Sequence, residues 1–546
     1  MKKMCLFLCI VMIFTMLTGF NNLNTSAAEA TSVKIGLYYG STAQSQINIS
    51  SDKGVLFCAY DVKTGKYNNV YESDAGQTIT LRKDSYFIQS GTKFTPVVLT
   101  GNPTSGPYHI QLNGTYNTYN DTVSVIQSYS QKGVITYPAY TDSGWQIWTG
   151  FYVSQSKAQA AVNTVKAKLG ENTYSVITET NSRIYGTDQN GKVLFMYASL
   201  NSLLRGRTMS AGNPNTIKIG TSLYRGQVEF NRLSGSDMTI INVLPFEEYL
   251  YGVVPNEMPA YSNIEALKGQ AVAARTYSYK SINKHSKYGF NLCATTDCQA
   301  YKGYSSENAN TNKAVDETRD MVVTYNGTLV ETVYSASTGG RTEDVVNVWG
   351  NSLPYLKSVE DKYESGKSYN YNWTMKFTVD EISTKLKSYG LGTVTGIEIT
   401  KYSAAGRPIE MVITGTLKPE GVVITKDKCR TFLSLPSQMY SISSDANINV
   451  QVNNKVENVS LSQIKVITSS GEKSYNNPNQ KVTIIGADGN ESVVSASSQE
   501  YVFTGKGWGH AVGMSQEGAM GMAKAGFTFE QILTHYYTGT KVEIKK

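Results

Sequence analysis

The fold of the C-terminal half is decided by the stretch Pro245-Phe-Glu-Glu-Tyr-Leu-Tyr-Gly-Val-Val-Pro-Asn-Glu-Met-Pro-Ala260. Two runs before it, Leu223–Phe230 and Met238–Leu244, alternate apolar and polar residues and predict β-strands. After it, Ser262 and Glu265 have the spacing of a helix capping box. Apolar residues then recur at helical spacing, at Ile264, Leu267, Ala271 and Ala274. Strands leading through a stiff loop into a helix predict an α+β domain.

Two basic residues mark the other face of this helix. Lys268 and Arg275 are seven residues apart, which is two helical turns, so they share one face away from the apolar stripe. They are candidates for binding a substrate carboxylate. The alternative is that both are solvated surface charges.

Four stretches together resemble the stage II sporulation protein D family, which includes amidase enhancers. They are Glu248–Thr276, Cys293–Gly303, Tyr334–Glu343 and Gly507-Trp-Gly-His-Ala-Val-Gly-Met-Ser-Gln-Glu-Gly-Ala519. The resemblance implies a lytic transglycosylase, which cuts peptidoglycan strands next to N-acetylmuramic acid and leaves 1,6-anhydro ends. It extends over residues 205–546, apart from an insertion-like stretch at about 445–500.

Glu257 is the catalytic residue that this resemblance implies. It lies between Pro255 and Pro259, and prolines stiffen a loop. One carboxyl group can serve first as general acid and then as general base if its surroundings raise its pKa. The sugar's own 6-hydroxyl attacks in this chemistry, so no second carboxylate nucleophile is needed. The alternative is a carboxylate that only interacts with a helix N-terminus.

Three further residues are candidate substrate ligands. His510 lies in the glycine-rich loop Gly505–Gly513, where the backbone can approach a ligand closely. The family resemblance places this loop at the substrate groove, with Gln516 nearby, and Ser337 is a weaker candidate beside Gly339 and Gly340. A purely structural turn is the alternative for the glycine-rich loop.

Cys293 and Cys298 form the one local cysteine pair after the N-terminal segment, with Asp297 between them and His285 eight residues earlier. Thiolates at this spacing can share a zinc ion with His or Asp ligands. A disulfide and free thiols remain open. The transglycosylase reaction itself requires no cofactor, so a zinc ion here would be structural.

Lys2 and Lys3 precede an uncharged apolar run, and small residues follow at Ser26, Ala27 and Ala28. This order predicts a signal peptide over residues 1–28 and a secreted, wall-associated protein. An uncleaved membrane anchor is the alternative, since the run is close to the length that spans a bilayer.

Between the signal peptide and the C-terminal domain we expect two further segments. Residues 32–138 carry short strands separated by turn signals and predict a β-rich domain of unknown role. Residues 140–182 resemble a sporulation-related repeat that binds peptide-free glycan, with Ser156 capping a helix that runs to Leu169. The whole chain is therefore predicted to be a multi-domain α+β protein.

Other function classes fit the sequence poorly. The net charge of +7 is spread along the 546 residues, without a basic face that would indicate nucleic acid. The chain has no His-Glu-x-x-His zinc-protease motif, and Gly513–Gly518 is one residue too long for a nucleophile elbow. The rival prediction is a non-catalytic protein that binds wall glycan or enhances a partner amidase. Whether the protein acts in sporulation stays open.

Overall fold

A computed structural model describes residues 32–545, except 113, 171–173, 210–213, 234–235 and 369–370, and within 445–499 it describes only the backbone of short strands. The predicted signal peptide lies outside the described residues. The chain divides into two compact units: the first comprises residues up to Glu257 with Ser281–Asn312, and the second comprises Met258–Lys280 with residues from Lys313 onward. The chain mixes helices and many strands, which confirms the predicted multi-domain α+β class. Among the described helices, none is both long and apolar enough to cross a membrane.

The described part of the chain contains ten α-helices. They are α1 Tyr119–Gln131, α2 Gln155–Leu169, α3 Phe246–Tyr251, α4 Val254–Glu257, α5 Ile264–Lys280, α6 Ala309–Glu317, α7 Val379–Lys385, α8 Lys428–Thr431, α9 Gln516–Lys524 and α10 Phe529–Tyr536. The sequence predicts a helix over Ser515–Ala525, and this is confirmed, because the Ser515 side chain caps α9. The sequence also predicts a capping box at Thr528 and Gln531, which is confirmed at α10.

Two predicted caps are wrong by one or two residues. Ser154, not Ser156, caps α2, since its hydroxyl accepts the N–H of Lys157. At α5, the Oδ1 of Asn263 accepts the N–H of Glu265 at 2.9 Å, which places the cap one residue after Ser262. Asparagine satisfies an open helix N–H as well as serine does.

The strands of the first unit form a seven-stranded sheet, a ten-stranded sheet and a hairpin. They are β1 Ser32–Tyr38, β2 Gln46–Ser50, β3 Val55–Tyr60, β4 Tyr67–Glu72, β5 Ile79–Lys83, β6 Phe87–Ser90, β7 Lys93–Pro96, β8 Tyr108–Gln111, β9 Thr136–Thr141, β10 Gly144–Tyr152, β11 Ser175–Ile177, β12 Ile184–Thr187, β13 Val193–Tyr197, β14 Leu203–Thr208, β15 Thr216–Ile219, β16 Ser222–Arg225, β17 Gln227–Arg232, β18 Met238–Pro245 and β19 Leu292–Cys293. The seven-stranded sheet has the order β19-β1-β18-β17-β14-β3-β4.

The run Leu223–Phe230, predicted as one strand, is two strands in different sheets: β16 lies in the ten-stranded sheet and β17 in the seven-stranded sheet. Gly226 separates them with φ +76°, and a Cβ there would lie 2.4 Å from the carbonyl oxygen of Val243. Only glycine fits this turn without strain. The break brings β17 beside β18, the strand that leads to Glu257.

The segment Tyr108–Ile177 folds as a β-α-β-β-α-β unit within the ten-stranded sheet. Its strands have the order β11-β8-β10-β9, and α1 and α2 contact them. Ile110, Ile147 and Val162 are buried in the core of this unit. The repeat predicted over 140–182 therefore coincides with the second half of a larger module, which begins with β8 and α1.

Apart from the β6–β7 hairpin, the described strands of the segment 32–138 belong to sheets that also contain later strands. β1 pairs with β18, and β3 pairs with β14, so its first strands belong to the seven-stranded sheet. β9 pairs in parallel with β13. The hydrophobic strands of this segment thus find their partners in residues 184–245, which lie in or next to the predicted C-terminal domain.

The second unit surrounds α5 with helices and small sheets. Its strands are β20 Met321–Tyr325, β21 Thr328–Leu329, β22 Tyr334–Ser335, β23 Asn372–Thr378, β24 Val394–Tyr402, β25 Pro408–Gly415, β26 Lys418–Thr425, β27 Met439–Ser444, β28 Asn447–Val452, β29 Lys455–Ser460, β30 Lys465–Thr468, β31 Gly471–Ser474, β32 Val482–Ile485, β33 Glu491–Val494, β34 Glu500–Lys506, β35 Met514–Ser515 and β36 Lys541–Ile544. α9, α10 and β20 contact α5, and β22 pairs with β35. The insertion-like stretch 445–500 is described mainly as backbone hairpins.

Candidate functional site

Glu257 is the last residue of α4 and is partly buried. One of its carboxylate oxygens, Oε1, accepts a hydrogen bond of 2.8 Å from the backbone N–H of Ala300. A backbone donor cannot rotate away as a side chain can. The carboxylate therefore has a fixed orientation, which an acid or base catalyst requires.

The run Gln299–Tyr301 is held against the segment that carries Glu257. The amide of Gln299 donates to the hydroxyl of Tyr249 at 3.3 Å, and the hydroxyl of Tyr301 donates to Oδ1 of Asn242 at 2.6 Å. Gly252 makes room for the Tyr301 ring, because a Cβ at this position would lie 2.6 Å from it. These contacts hold the Gln299–Tyr301 run beside the segment that carries Glu257.

A second carboxyl group lies near the start of the same segment. Burial raises the pKa of Glu248 above its usual value, although the guanidinium of Arg225 opposes this effect. Arg225 is itself paired with Glu307 at 2.6 Å. Glu248 was missed by sequence reasoning, which singled out only Glu257, and it offers a matched comparison for any test of Glu257.

His285, Cys293, Asp297 and Cys298 come together in the first unit. Each residue offers one ligand atom, and these four atoms lie within 4.8 Å of one another. The cluster could therefore hold a metal ion. Both cysteines and His285 are buried, and Asp297 is exposed. Nε2 of His285 lies 3.2 Å from Oδ2 of Asp297, yet it has no hydrogen-bond partner among the described residues. A buried imidazole nitrogen in this position, beside two thiols, suits a zinc ion.

The two cysteines are free thiols in the structure. A hydrogen bond from the thiol of Cys298 lowers the pKa of Cys293 well below its usual value. The backbone N–H of Cys293 approaches Sγ of Cys298 at 3.4 Å.

In the second unit, the glycine-rich loop packs on the loop that contains Ser337. The backbones of Ser337 and Trp508 exchange hydrogen bonds of 3.1 and 2.8 Å. Gly507 permits this approach, because its φ is +84° and a Cβ would lie 2.9 Å from the carbonyl oxygen of Ser337. The Ser337 side chain is fully buried, so this residue positions the loop through its backbone and does not present the predicted hydroxyl to a ligand.

His510 is partly buried between these loops and an exposed tryptophan. Its Nδ1 accepts the backbone N–H of Val512 at 3.0 Å, and its ring centroid is 5.0 Å from that of Trp349. Burial, aided by the charge of Arg430, lowers the pKa of His510 to about 4. The imidazole is therefore neutral near pH 7, with its proton on Nε2, and the ring also has a hydrogen bond with the backbone of Tyr334.

Gln516 is the first residue of α9 and is partly buried. Its side-chain amide donates to Oε1 of Gln270 at 3.3 Å, and Gln270 is fully buried on α5. The contact links the end of the glycine-rich loop to the helix that follows Glu257 in the sequence.

Comparison with known proteins agrees with the sequence resemblance. A family model described as stage II sporulation protein matches residues 234–325, which include Glu257 and the cysteine cluster. An amidase enhancer from Bacillus subtilis is 35% identical over 303 residues, which are 53% of this chain and 40% of that protein. An uncharacterized protein from Brachyspira hyodysenteriae is 30% identical over 56% of this chain and 68% of its own length.

The stage II sporulation protein D of Bacillus subtilis is 28% identical over 314 residues, which are 55% of this chain and 74% of that protein. The chain belongs to the stage II sporulation protein D and amidase-enhancer family. The matched part is less than half of the amidase enhancer's length.

Two basic residues of the family segment have internal partners. Arg275 is fully buried and donates to the backbone oxygens of Val315 at 3.1 Å and Met321 at 3.2 Å. Arg275 is therefore a structural residue and not the predicted substrate ligand, because this side of α5 is buried as well. Lys268 is partly exposed and forms ion pairs with Glu265 at 3.1 Å and Glu317 at 2.9 Å.

Glu364 organises the glycine-rich region of this family member and was missed by sequence reasoning. Its carboxylate accepts hydrogen bonds from the N–H groups of Thr338 at 2.7 Å and Gly340 at 2.9 Å and from the hydroxyl of Ser515 at 3.0 Å. Burial raises the pKa of Glu364, and the nearby charge of Asp361 adds to the effect. No motif surrounds Glu364 in the sequence, so only the fold reveals its role.

Proposed function

We propose that the protein is a peptidoglycan lytic transglycosylase that acts on glycan strands next to N-acetylmuramic acid. The observation that carries the proposal is the fixed carboxylate of Glu257, held by the N–H of Ala300 within the segment that matches the family model. Family membership supports a role in the cell wall and in sporulation, as the relatives' names indicate.

The proposed reaction needs one carboxyl group that changes its protonation state. Glu257 gives its proton to the glycosidic oxygen as the bond from that oxygen to C1 of the muramic acid breaks. The 6-hydroxyl of the same sugar then bonds to C1 and returns its proton to Glu257, so the residue ends as it began. The products are a 1,6-anhydro end and a free hydroxyl on the departing sugar. This differs from glycosidases that use two carboxylates.

His510 and Gln516, which the family resemblance implies as substrate ligands, stay proposed glycan contacts. The Gln516 amide can both donate and accept hydrogen bonds. Trp349 and Trp508 remain 43% and 42% exposed, so their rings are available to stack on sugar faces. We keep Lys268 as a proposed substrate contact. The substrate would have to compete with its two glutamate partners.

The test compares Glu257→Gln with Glu248→Gln on purified glycan strands. Both changes preserve side-chain shape and remove a carboxyl group from the same segment. Release of anhydro ends, followed by mass spectrometry, should vanish for Glu257→Gln and persist for Glu248→Gln. The opposite pattern would assign the acid and base role to Glu248.

We further propose that His285, Cys293, Asp297 and Cys298 hold a structural zinc ion. The ion would supply no reaction chemistry; its ligands would fix the loop that leads from Cys298 to Ala300. Metal analysis of protein purified without chelators should find about one zinc per chain. Absence of metal together with the loss of titratable thiols at these positions would instead establish a disulfide.

A second candidate function is enhancement of a wall amidase, which the name of the relative from Bacillus subtilis favours. In this case the chain binds glycan and raises the activity of a partner without cutting. Adding Glu257→Gln protein to a wall amidase and its substrate separates the two functions. Full stimulation by this variant supports enhancement, and loss of stimulation ties the effect to Glu257.

We propose that residues 140–182, which overlap the second half of the β-α-β-β-α-β module at 108–177, are a sporulation-related repeat that attaches the protein to peptide-free wall glycan. A signal peptide at 1–28 would export the chain, so we propose that the protein acts outside the cytoplasmic membrane. Binding of wall sacculi by the purified chain tests the attachment, and the N-terminus of the secreted protein tests the export.

A further inference from the structure

A cavity of about 830 Å³ lies in the first unit, where two strands of the ten-stranded sheet part. β9 and β13 pair only through Ala139 and Tyr140 of β9, so the start of β9 is not joined to β13. Tyr137 of β9 and Val193 of β13 line the cavity between these ends. The volume lies within the range of about 300–1,000 Å³ that small-ligand sites occupy.

The wall of the cavity is mainly apolar. The ring of Phe151 lies 5.1 Å from the ring of Tyr137 and 5.1 Å from the ring of Tyr185. Ile126 of α1 and Val193 add aliphatic side chains, and both are partly buried. Such a wall favours hydrocarbon, because contact removes apolar surface from water on both sides. A sugar would bring hydroxyl groups against it, and burying a hydroxyl without a partner costs free energy.

The lining also contains a buried hydroxyl without a partner. Thr136 is 8% exposed, and its Oγ1 has no hydrogen-bond partner among the described residues. Thr149, which pairs with Thr136 across β9 and β10, differs, since its hydroxyl donates to the carbonyl oxygen of Ile135 at 2.6 Å. Buried polar groups in folded proteins are normally hydrogen-bonded. An oxygen atom of a ligand would supply the missing partner.

Positive charge lies at the edge of the cavity. Lys168, near the end of α2, donates to the carbonyl oxygen of Gly133 at 3.1 Å, and Lys192 lies next to β13. Both lysines are exposed. The lining has no aspartate or glutamate among the residues that the structure describes. An anionic group at this edge would therefore be attracted by two ammonium groups and repelled by none of the lining side chains.

We propose that this cavity binds a single-chain anionic amphiphile, which is one acyl chain with a carboxylate or phosphate head group. The chain lies against the aromatic and aliphatic wall, and Lys168 and Lys192 hold the head group. Free fatty acids and lysophospholipids both have this chemistry. The ligand class differs from wall glycan, and the site is separate from the chemistry assigned to Glu257.

The experiment measures binding of dodecanoate to the full chain by calorimetry, at concentrations where the ligand is monomeric. The test variant is Lys168→Ala with Lys192→Ala. The control is Lys63→Ala with Lys157→Ala, which removes two exposed lysines outside the lining and so changes the net charge equally. Lys157 lies about 16 Å from Lys168 along α2. We expect the test variant to weaken binding about tenfold and the control to change it less than about twofold.

Two further measurements test the apolar wall and its rim. Octanoate has four methylene groups fewer than dodecanoate, and each buried methylene strengthens binding about fourfold, so octanoate should bind at least about thirtyfold more weakly. Ile135 is 86% exposed and lines the cavity. Ile135→Asp therefore adds a negative charge at the rim without opening the core, and it should weaken dodecanoate binding at least about threefold.

A lysophosphatidylglycerol with a dodecanoyl chain is the second probe. Tighter binding of this probe would identify a phosphate head group and tighter binding of dodecanoate a carboxylate, and either result supports the proposal. Failure of the wild-type chain to bind both probes, equal binding by the lysine test variant, or displacement of dodecanoate by a hexamer of N-acetylglucosamine would each overturn it. None of these results depends on whether Glu257 cuts glycan.

Discussion

The backbone N–H of Ala300 donates a hydrogen bond of 2.8 Å to the carboxylate of Glu257. The two residues are far apart in the sequence, and the contact joins the segment before α5 to the cysteine loop. If this bond orients the Glu257 carboxylate, the cysteine loop contributes to catalysis through the backbone N–H of Ala300.

The first prediction concerns this bond. Ala300→Pro removes the donor, and Ala300→Gly keeps it. We expect the proline variant to release anhydro ends at least about tenfold more slowly, since a misoriented acid loses much of its catalytic effect. The glycine variant should stay within about twofold of wild type. Equal rates for the wild type and a folded proline variant, judged by circular dichroism, would show that the bond is irrelevant to turnover.

The cysteine cluster should behave as one structural unit. Cys293→Ser and Cys298→Ser should each lower the free energy of unfolding by about 2 kcal/mol, and the double variant should cost little more than either single one. Cys58 is a buried thiol of the same unit outside the cluster. Cys58→Ser should lower the free energy of unfolding by an amount that adds to the loss caused by Cys293→Ser. Additive losses within the cluster would rule out a shared metal ion or a disulfide.

His510 should make stability depend on pH. The usual histidine pKa is about 6.5, and the folded value is about 4. Between these values the unfolded chain binds a proton that the folded chain does not, so the free energy of unfolding falls as pH falls. We expect His510→Asn to reduce this fall by about 2 kcal/mol in urea titrations at pH 7 and pH 4.

The control for His510 is His535→Asn, which replaces a histidine on α10 outside the glycine-rich loop. Its urea titrations report the general effect of removing a histidine. Identical pH profiles for the wild type and His510→Asn would mean that folding does not change the pKa of His510, contrary to this prediction.

Glu364 should stabilise the loops that carry Ser337 and His510. Glu364→Ala leaves the N–H groups of Thr338 and Gly340 without their acceptor, and we expect a loss of about 2–3 kcal/mol in the free energy of unfolding. Glu530 is an exposed carboxylate on α10, and Glu530→Ala should cost less than about 1 kcal/mol. If both variants lose similarly little free energy of unfolding, Glu364 does not stabilise these loops.

Local sequence signals predicted the parts of the fold that depend on neighbouring residues. The caps at Ser515 and Thr528 follow from side chains that bond to the backbone two or three residues on. Spacing also grouped the cysteine pair with His285 and Asp297. In each case the residues that interact are close in the chain.

Long-range packing decided what the sequence could not show. Arg275 was placed on a solvated face by helical periodicity, yet it is buried by β20 and the residues around Val315. The run around Gly226 alternates as one strand would, but the turn sends its halves to different sheets. Glu364 and Ala300 function through contacts with distant segments, and no spacing rule connects them to their partners.

The N-terminal strands belong to the sheet that leads to Glu257, so deleting them is not a clean test of attachment to the wall. Deleting residues 30–200 would remove β1 and β3 from the sheet that contains β18, and β18 leads directly to α3 and Glu257. Such a deletion would damage the catalytic segment. Point changes on the exposed surface of the 108–177 module should instead weaken sacculus binding and spare cleavage of short, soluble glycans. Unchanged sacculus binding by such variants would make the module a spacer.

The reaction proposed for Glu257 is intramolecular, so water does not enter the product. Digestion of purified glycan strands in water labelled with a heavy oxygen isotope tests it directly, with product masses read by mass spectrometry. The wild type should produce unlabelled 1,6-anhydro ends, and Glu257→Gln should produce none. Reducing ends that carry the heavy oxygen, or equal product from both proteins, would exclude this mechanism.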